Sequence, residues 1–105
     1  MLVQTLPNST KGSLTEARRI DWMAYDHNVQ MVPHGWNTAV GLAADLQLVA
    51  SLPVASYVEY LTPCVYLDEL ITEPFYPDAE GYLNIPDRPG LGIELNRDAL
   101  KKYGC

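Results

Sequence analysis

Positive charge is scarce in this chain. Seven Lys and Arg face thirteen Asp and Glu, for a formal net charge of −6 at pH 7, and the seven cations are scattered rather than grouped. Nucleic-acid binding draws on clustered Lys and Arg that displace counterions from phosphates, so that class of function is disfavoured. Long apolar runs are missing too. The most apolar stretch, residues 38–53, contains Asp45 and Gln47 and is shorter than the ~20 residues a bilayer-spanning helix needs. No basic segment followed by a hydrophobic signal core stands at the N-terminus. Cysteine is limited to Cys64 and Cys105, with neither metal-site spacing nor the density of a disulfide scaffold. Free thiols in a reducing compartment are the simpler expectation, and a disulfide between the two stays open. These absences point to a soluble, cytoplasmic protein with no nucleic-acid or membrane partner.

What is present has an alternating order. At 105 residues the chain suffices for one small domain that buries roughly two-thirds of the surface its unfolded form exposes. Leu14, Ala17, Ile20 and Ala24 recur at helical spacing with Met23 close by, which predicts an amphipathic helix over 13–27. Ser13 and Glu16 fit a capping box at its start. Residues 29–33 are short and β-branched and predict a strand that Pro33, lacking a backbone donor, brings to an end. His34 follows, then a Gly35-Trp36-Asn37 turn, with Asn37 placed to cap the next helix. That helix, 38–51, is apolar around much of its circumference and predicts burial on more than one side. Residues 56–60 predict another strand, and 2–4 the remnant of an earlier one.

Strand, helix, strand, helix, strand in this order argues for an α/β fold with parallel strands joined by helical crossovers. After Leu61 the character changes to irregular sequence with Pro63, Pro74, Pro77, Pro86 and Pro89. Within it 82–85 and 92–95 look strand-like, and 98–103 predicts a short helix stopped by Gly104. A histidine taken alone is as a rule a packing or surface residue. One delivered to the carboxyl end of a strand stands where α/β proteins place their chemistry.

Four segments carry a more specific signal: Leu14-Thr15-Glu16-Ala17-Arg18-Arg19-Ile20, Val32-Pro33-His34-Gly35-Trp36-Asn37-Thr38-Ala39, Glu59-Tyr60-Leu61, and Ile85-Pro86-Asp87-Arg88-Pro89-Gly90-Leu91-Gly92-Ile93. In this order and spacing they resemble the C-terminal part of enolase-superfamily proteins of the mandelate racemase/muconate lactonizing enzyme type, among which sugar-acid dehydratases are common. The resemblance implies the last βα units of a (β/α) TIM-like barrel. Residues 1–61 would be the partial barrel, with 29–33 as its seventh strand and 56–60 as its eighth. Residues 62–105 would be a tail that returns toward a capping domain, so that 82–85 is no barrel strand.

The same resemblance implies chemistry. Superfamily enzymes remove a proton next to a carboxylate with a Lys or His base and use magnesium to hold the growing charge. His34 matches the family's histidine at the end of the seventh strand. It would take the α-proton and, in a dehydratase, hand a proton to the departing β-hydroxyl. Glu59 matches the acid at the end of the eighth strand, where a protonated carboxyl would donate a hydrogen bond to the substrate carboxylate. Trp36 and Tyr60 flank both and are the candidate substrate-lining residues.

Two departures stand out. The family orients its histidine with an aspartate at the end of the preceding strand, and no aspartate stands in 3–13. Asn8 is the polar residue there that can hydrogen-bond an imidazole, and Lys11 reads as a surface residue. A complete barrel takes about 250 residues, and the family's metal ligands and lysine pair come from earlier strands, so no metal ligand is identified in this chain. Asp68, Glu69, Glu73, Asp78 and Glu80 read as solvated charge rather than substitute ligands. The expectation is therefore a C-terminal fragment of a magnesium-dependent sugar-acid dehydratase or racemase relative, inactive alone. The alternative is a non-catalytic interaction module or half of a split enzyme, in which open barrel edges pair with a second copy or with a complementing N-terminal chain.

Overall fold

The computed structural model describes residues 2–5, 13–53 and 56–104. Two strands, β1 (Leu2–Thr5) and β2 (Gln30–Pro33), pair in parallel, with Leu2 opposite Gln30 and Thr5 opposite Pro33. Helix α1 (Leu14–Asp26) lies between them in sequence, as a parallel pair requires. Helix α2 (Ala39–Ala50) follows β2, and two short helices, α3 (Val65–Asp68) and α4 (Arg97–Tyr103), belong to the irregular second half.

The ends of α1 are encoded locally. Ser13 is the N-cap, in extended conformation, and its side chain accepts from the Glu16 amide at 3.4 Å. At the other end Asn28 adopts φ 54°, the left-handed region that Asn tolerates better than most residues. The Asn28 amide donates to the Tyr25 carbonyl and the Val29 amide to the Ala24 carbonyl. This Schellman pair satisfies two carbonyls the helix would otherwise leave bare, and it turns the chain directly into β2.

Helix α2 is the centre of the packing. One side closes on Ala17 of α1 and Met31 of β2 through Leu48, joined by Leu52 just beyond the helix end. Its other side, Ala39, Leu42, Ala43 and Leu46, packs against Leu67, Leu70, Ile71, Phe75 and Ala99 of the proline-rich half. Two-sided burial is the reason for its nearly all-round apolar sequence. The proline-rich half wraps one face of this helix without a ladder of its own. Within it an antiparallel bridge joins Ile71 to Leu95, flanked by hydrogen bonds from Thr72 to Glu94 and from Asn96 to Leu70. Gly92 turns the chain back at φ 75°, and a Cβ there would stand 2.6 Å from Pro86 Cβ, so only glycine serves.

Several expectations are corrected. Residues 56–60 form no strand, because the sheet of the described residues consists of β1 and β2 alone and offers them no ladder. They run instead in close van der Waals approach to the turn after β2. Residues 82–85 form no strand either, and of 92–95 only Leu95 reaches a bridge partner. Asn37 does not cap α2. Thr38 is the N-cap, without a side-chain bond, while the Asn37 amide turns along the helix to Asp45. The apolar side read for α1 is only partly buried: Ala17 is fully enclosed, but Leu14, Ile20 and Met23 are exposed, and Asp21 is buried. Helical spacing marked an apolar stripe, yet which edge of it is covered depends on neighbours.

The acidic residues of the second half are local ties as well as surface charge. Glu69 binds Lys102 at 3.0 Å and the Tyr103 hydroxyl at 2.6 Å, Glu73 pairs with Arg88, and Asp78 accepts from the amides of Glu80 and Tyr82. Hydrogen bonds from Tyr103 and Lys102 hold the Glu69 carboxyl below its ordinary range.

Two outcomes follow from this packing. Leu46→Ala, at a site 4% exposed, is expected to cost about 2–5 kcal/mol in urea unfolding, whereas Met23→Ala on the exposed flank of α1 stays within about 0.5 kcal/mol. Glu69 titrates lower in the folded than in the unfolded chain. Its stabilising contribution is therefore full above the ordinary value of 4.5 and is lost as the pH falls through the depressed folded value. The stability gap between wild type and Glu69→Gln is expected at neutral pH and should close in acid; a gap that widens below pH 4.5 contradicts the assignment.

Candidate active site

The site is assembled where β2 ends. Pro33, buried, is the last strand residue, and His34 is the first beyond the ladder. The next residue is constrained by space. A Cβ on Gly35 would lie 2.4 Å from the Glu59 carbonyl oxygen and 2.7 Å from Glu59 Cβ, so the approach of residues 56–60 to the turn demands glycine. That approach brings Glu59 to His34 across 25 residues of sequence.

Glu59 Oε2 is the meeting point. It stands 2.7 Å from His34 Nδ1 and accepts the Gly35 backbone amide at 2.8 Å. His34 and Glu59 keep about a third of their side-chain surface in solvent, 33% and 38% respectively, so the pair is accessible to a ligand. As a carboxylate Glu59 only accepts, which assigns the ring proton to Nδ1 and the lone pair of the neutral imidazole to Nε2.

His34, Gly35, Trp36, Glu59, Tyr60 and Leu61 line one cavity of about 400 Å³. All four residues singled out in the sequence therefore border a common space. Trp36 is 72% exposed at its rim. Tyr60 is half-buried, and its hydroxyl donates to the Phe75 carbonyl at 2.7 Å, tying the wall of the site to the proline-rich half. Burial pushes the Tyr60 hydroxyl above its ordinary value, helped by the charges of Asp68 and Tyr76. Asn8 and Lys11 lie outside the described residues.

Sequence reasoning missed Gly35, whose amide and absent side chain both serve the carboxylate. The only available signal was a glycine placed directly after the candidate histidine. A second cavity, about 340 Å³, lies in the proline-rich half, bordered by Glu73, Arg88 and Glu94 among others.

The donor set does not suit magnesium. That ion takes octahedral oxygen ligands, usually one or two carboxylates with waters and substrate oxygens. Among the described residues no group of three or more His, Cys, Asp or Glu is placed to hold a metal. The one carboxylate of the site, Glu59, already receives the Gly35 amide and faces an imidazole.

Comparison with known proteins identifies the family. The family described as Enolase C-terminal domain-like matches residues 6–99. The chain is 38% identical to the D-galactarolactone cycloisomerase of Agrobacterium fabrum over 101 residues, covering 88% of this chain and 26% of that protein. It is 27% identical to the D-xylonate dehydratase of Haloferax volcanii, over 88% of this chain and 22% of that protein. The solved structure of a mandelate racemase/muconate lactonizing enzyme from Sulfitobacter sp. superposes with a TM-score of 0.85 at 26% identity, covering 97% of this chain and 25% of that one. The chain thus spans about a quarter of the length of the curated relatives it matches. It belongs to the enolase C-terminal domain-like family, as the C-terminal segment of the barrel in enolase-superfamily proteins of the mandelate racemase/muconate lactonizing enzyme type.

Proposed function

We propose that this chain is the C-terminal quarter of a longer enzyme that removes the α-proton of a sugar-acid carboxylate, as sugar-acid dehydratases and cycloisomerases of the superfamily do. The His34–Glu59 contact carries this reading. With Nδ1–H donated to Glu59, the lone pair on Nε2 is the base; it takes the proton and leaves an imidazolium beside the carboxylate. In the dehydratase direction the same imidazolium returns a proton to the departing β-hydroxyl, so that water leaves and the ring is neutral again. This sequence of steps uses Glu59 as an acceptor rather than as the protonated donor its position in the family suggests, because Oε2 also receives the Gly35 amide.

Glu59 in this role takes the place of the aspartate that the preceding segment lacks. Trp36 forms the rim of the cavity, and Tyr60 supports its wall, with its hydroxyl committed to Phe75. Magnesium and the second base of the family belong, in this reading, to barrel strands preceding the segment, and no step is assigned to the metal here. Residues 1–61 are the barrel portion and 62–105 the part returning to the capping domain, in a cytoplasmic enzyme.

Incubating the isolated chain with magnesium and a panel of sugar acids in heavy water is expected to give no α-proton exchange by NMR. Joined to the earlier barrel strands, in one polypeptide or as a complementing chain, it is expected to exchange, and His34→Ala should then lower the rate about 10²–10⁴-fold. An unchanged rate in that variant would rule out the acid/base role.

A second reading, assembly through open edges, is favoured by two observations. The sheet of the described residues has two strands only, and Trp22, Met23, Trp36, Tyr57, Tyr76 and Tyr82 are exposed. Open edges and apolar patches promote association. Light scattering at micromolar concentration is expected to show self-association of the isolated chain, and a well-folded monomer would remove this reading.

A further inference from the structure

We propose that Asn37 and Asp45 are positioning residues for His34, acting through a continuous run of hydrogen bonds from helix α2 to the imidazole. The proposal deepens the acid/base reading and rests on it for its functional meaning, although the geometry stands by itself. Asp45 is 1% exposed, and a buried carboxylate is tolerated only with polar partners. Its Oδ2 accepts the Asn37 side-chain amide at 3.1 Å.

Space for that contact comes from a third residue. A Cβ on Gly41 would stand 2.4 Å from Asn37 Cγ and 2.6 Å from Oδ1, so the amide lies in the gap that a glycine leaves. Gly41 and Asp45 are four apart and share one face of α2, and Asn37 lies along that face. The Thr38 N-cap makes no side-chain bond, and the Asn37–Asp45 contact adds a side-chain tie between the turn and the helix.

From Asn37 the run continues into the site. The Asn37 backbone amide donates to the Gly35 carbonyl at 2.8 Å, the Gly35 amide donates to Glu59 Oε2 at 2.8 Å, and Oε2 stands 2.7 Å from His34 Nδ1. The links measure between 2.7 and 3.1 Å, and Asp45 at the far end is buried, where polar contacts hold their geometry most firmly. Asn37, released from Asp45, therefore shifts the Gly35 carbonyl it holds; through the φ and ψ of Gly35 this moves the Gly35 amide on the neighbouring peptide and draws Glu59 away from the ring. The consequence is read at the imidazole. With Glu59 in place Nδ1 carries the proton; without it the balance shifts toward Nε2–H, and the basic lone pair moves from Nε2 to Nδ1.

Nitrogen-15 NMR of the full 105-residue chain, at a pH where its two histidines are neutral, reads the tautomer of each ring; His34→Gln assigns the signals. Wild type is expected to hold His34 mainly as Nδ1–H. Asn37→Ala should lower the ratio of Nδ1–H to Nε2–H about fivefold, equivalent to about 1 kcal/mol for a lost hydrogen bond. Gly41→Ala keeps both hydrogen-bonding groups but pushes the amide from its gap, and should shift the ratio the same way. An unchanged ratio in either variant that folds by circular dichroism overturns the proposal. Loss of the fold in both overturns it too, since the contact would then serve the fold rather than the ring. If the ratio shifts while His34→Ala leaves the rate of the complemented enzyme intact, the positioning stands and the acid/base reading falls.

Discussion

Helix α2 is apolar on nearly every side, and the cost of leaving that surface in water organises the rest of the chain. Burying a leucine side chain stabilises by about 1.5–3 kcal/mol, and Leu42, Leu46 and Leu48 are each no more than 4% exposed. No single neighbour can cover all of them. The strand and helix before α2 take one side, and the irregular half after it takes the other. A segment without its own ladder is thereby held in place by side chains such as Leu67, Ile71 and Phe75.

The site depends on this arrangement at one remove. Phe75, buried against α2, presents its carbonyl to the Tyr60 hydroxyl. That bond anchors the segment carrying Glu59, while Asp45 in the middle of α2 anchors Asn37 of the turn that follows His34. The turn at Gly35 and the segment carrying Glu59 meet at a separation that no Cβ on Gly35 permits. The carboxylate is thus placed by packing on both sides, and the imidazole is met by a preformed acceptor instead of having to order one from solvent.

Much of this was legible in the residues. Ser13 with Glu16 marked the start of α1, Pro33 marked the end of β2, and the all-round apolar character of 38–51 marked a helix buried on two sides. The order of four short motifs identified the family and brought His34, Trp36, Glu59 and Tyr60 to attention together. Less legible were the partners. Asn37 beside a helix start reads as a cap, because capping is a local contact, yet its amide reaches Asp45 eight residues on, where only the finished helix places a carboxylate. Residues 56–60 have strand-forming side chains, but a strand exists only where a neighbour offers a ladder.

The sequence by itself determined the two long helices and the short C-terminal one, the place where β2 stops and the residue types gathered near that point, since capping, proline and apolar period act over a few neighbours; α3 it did not mark. Only the tertiary structure decided that Glu59 meets His34 at Nδ1, that Gly35 must have no side chain, and that Tyr60 spends its hydroxyl on Phe75. Each of these joins segments roughly 15 to 25 residues apart. Contacts at that separation are set by which surfaces bury together, a property of the packed chain and of no stretch within it.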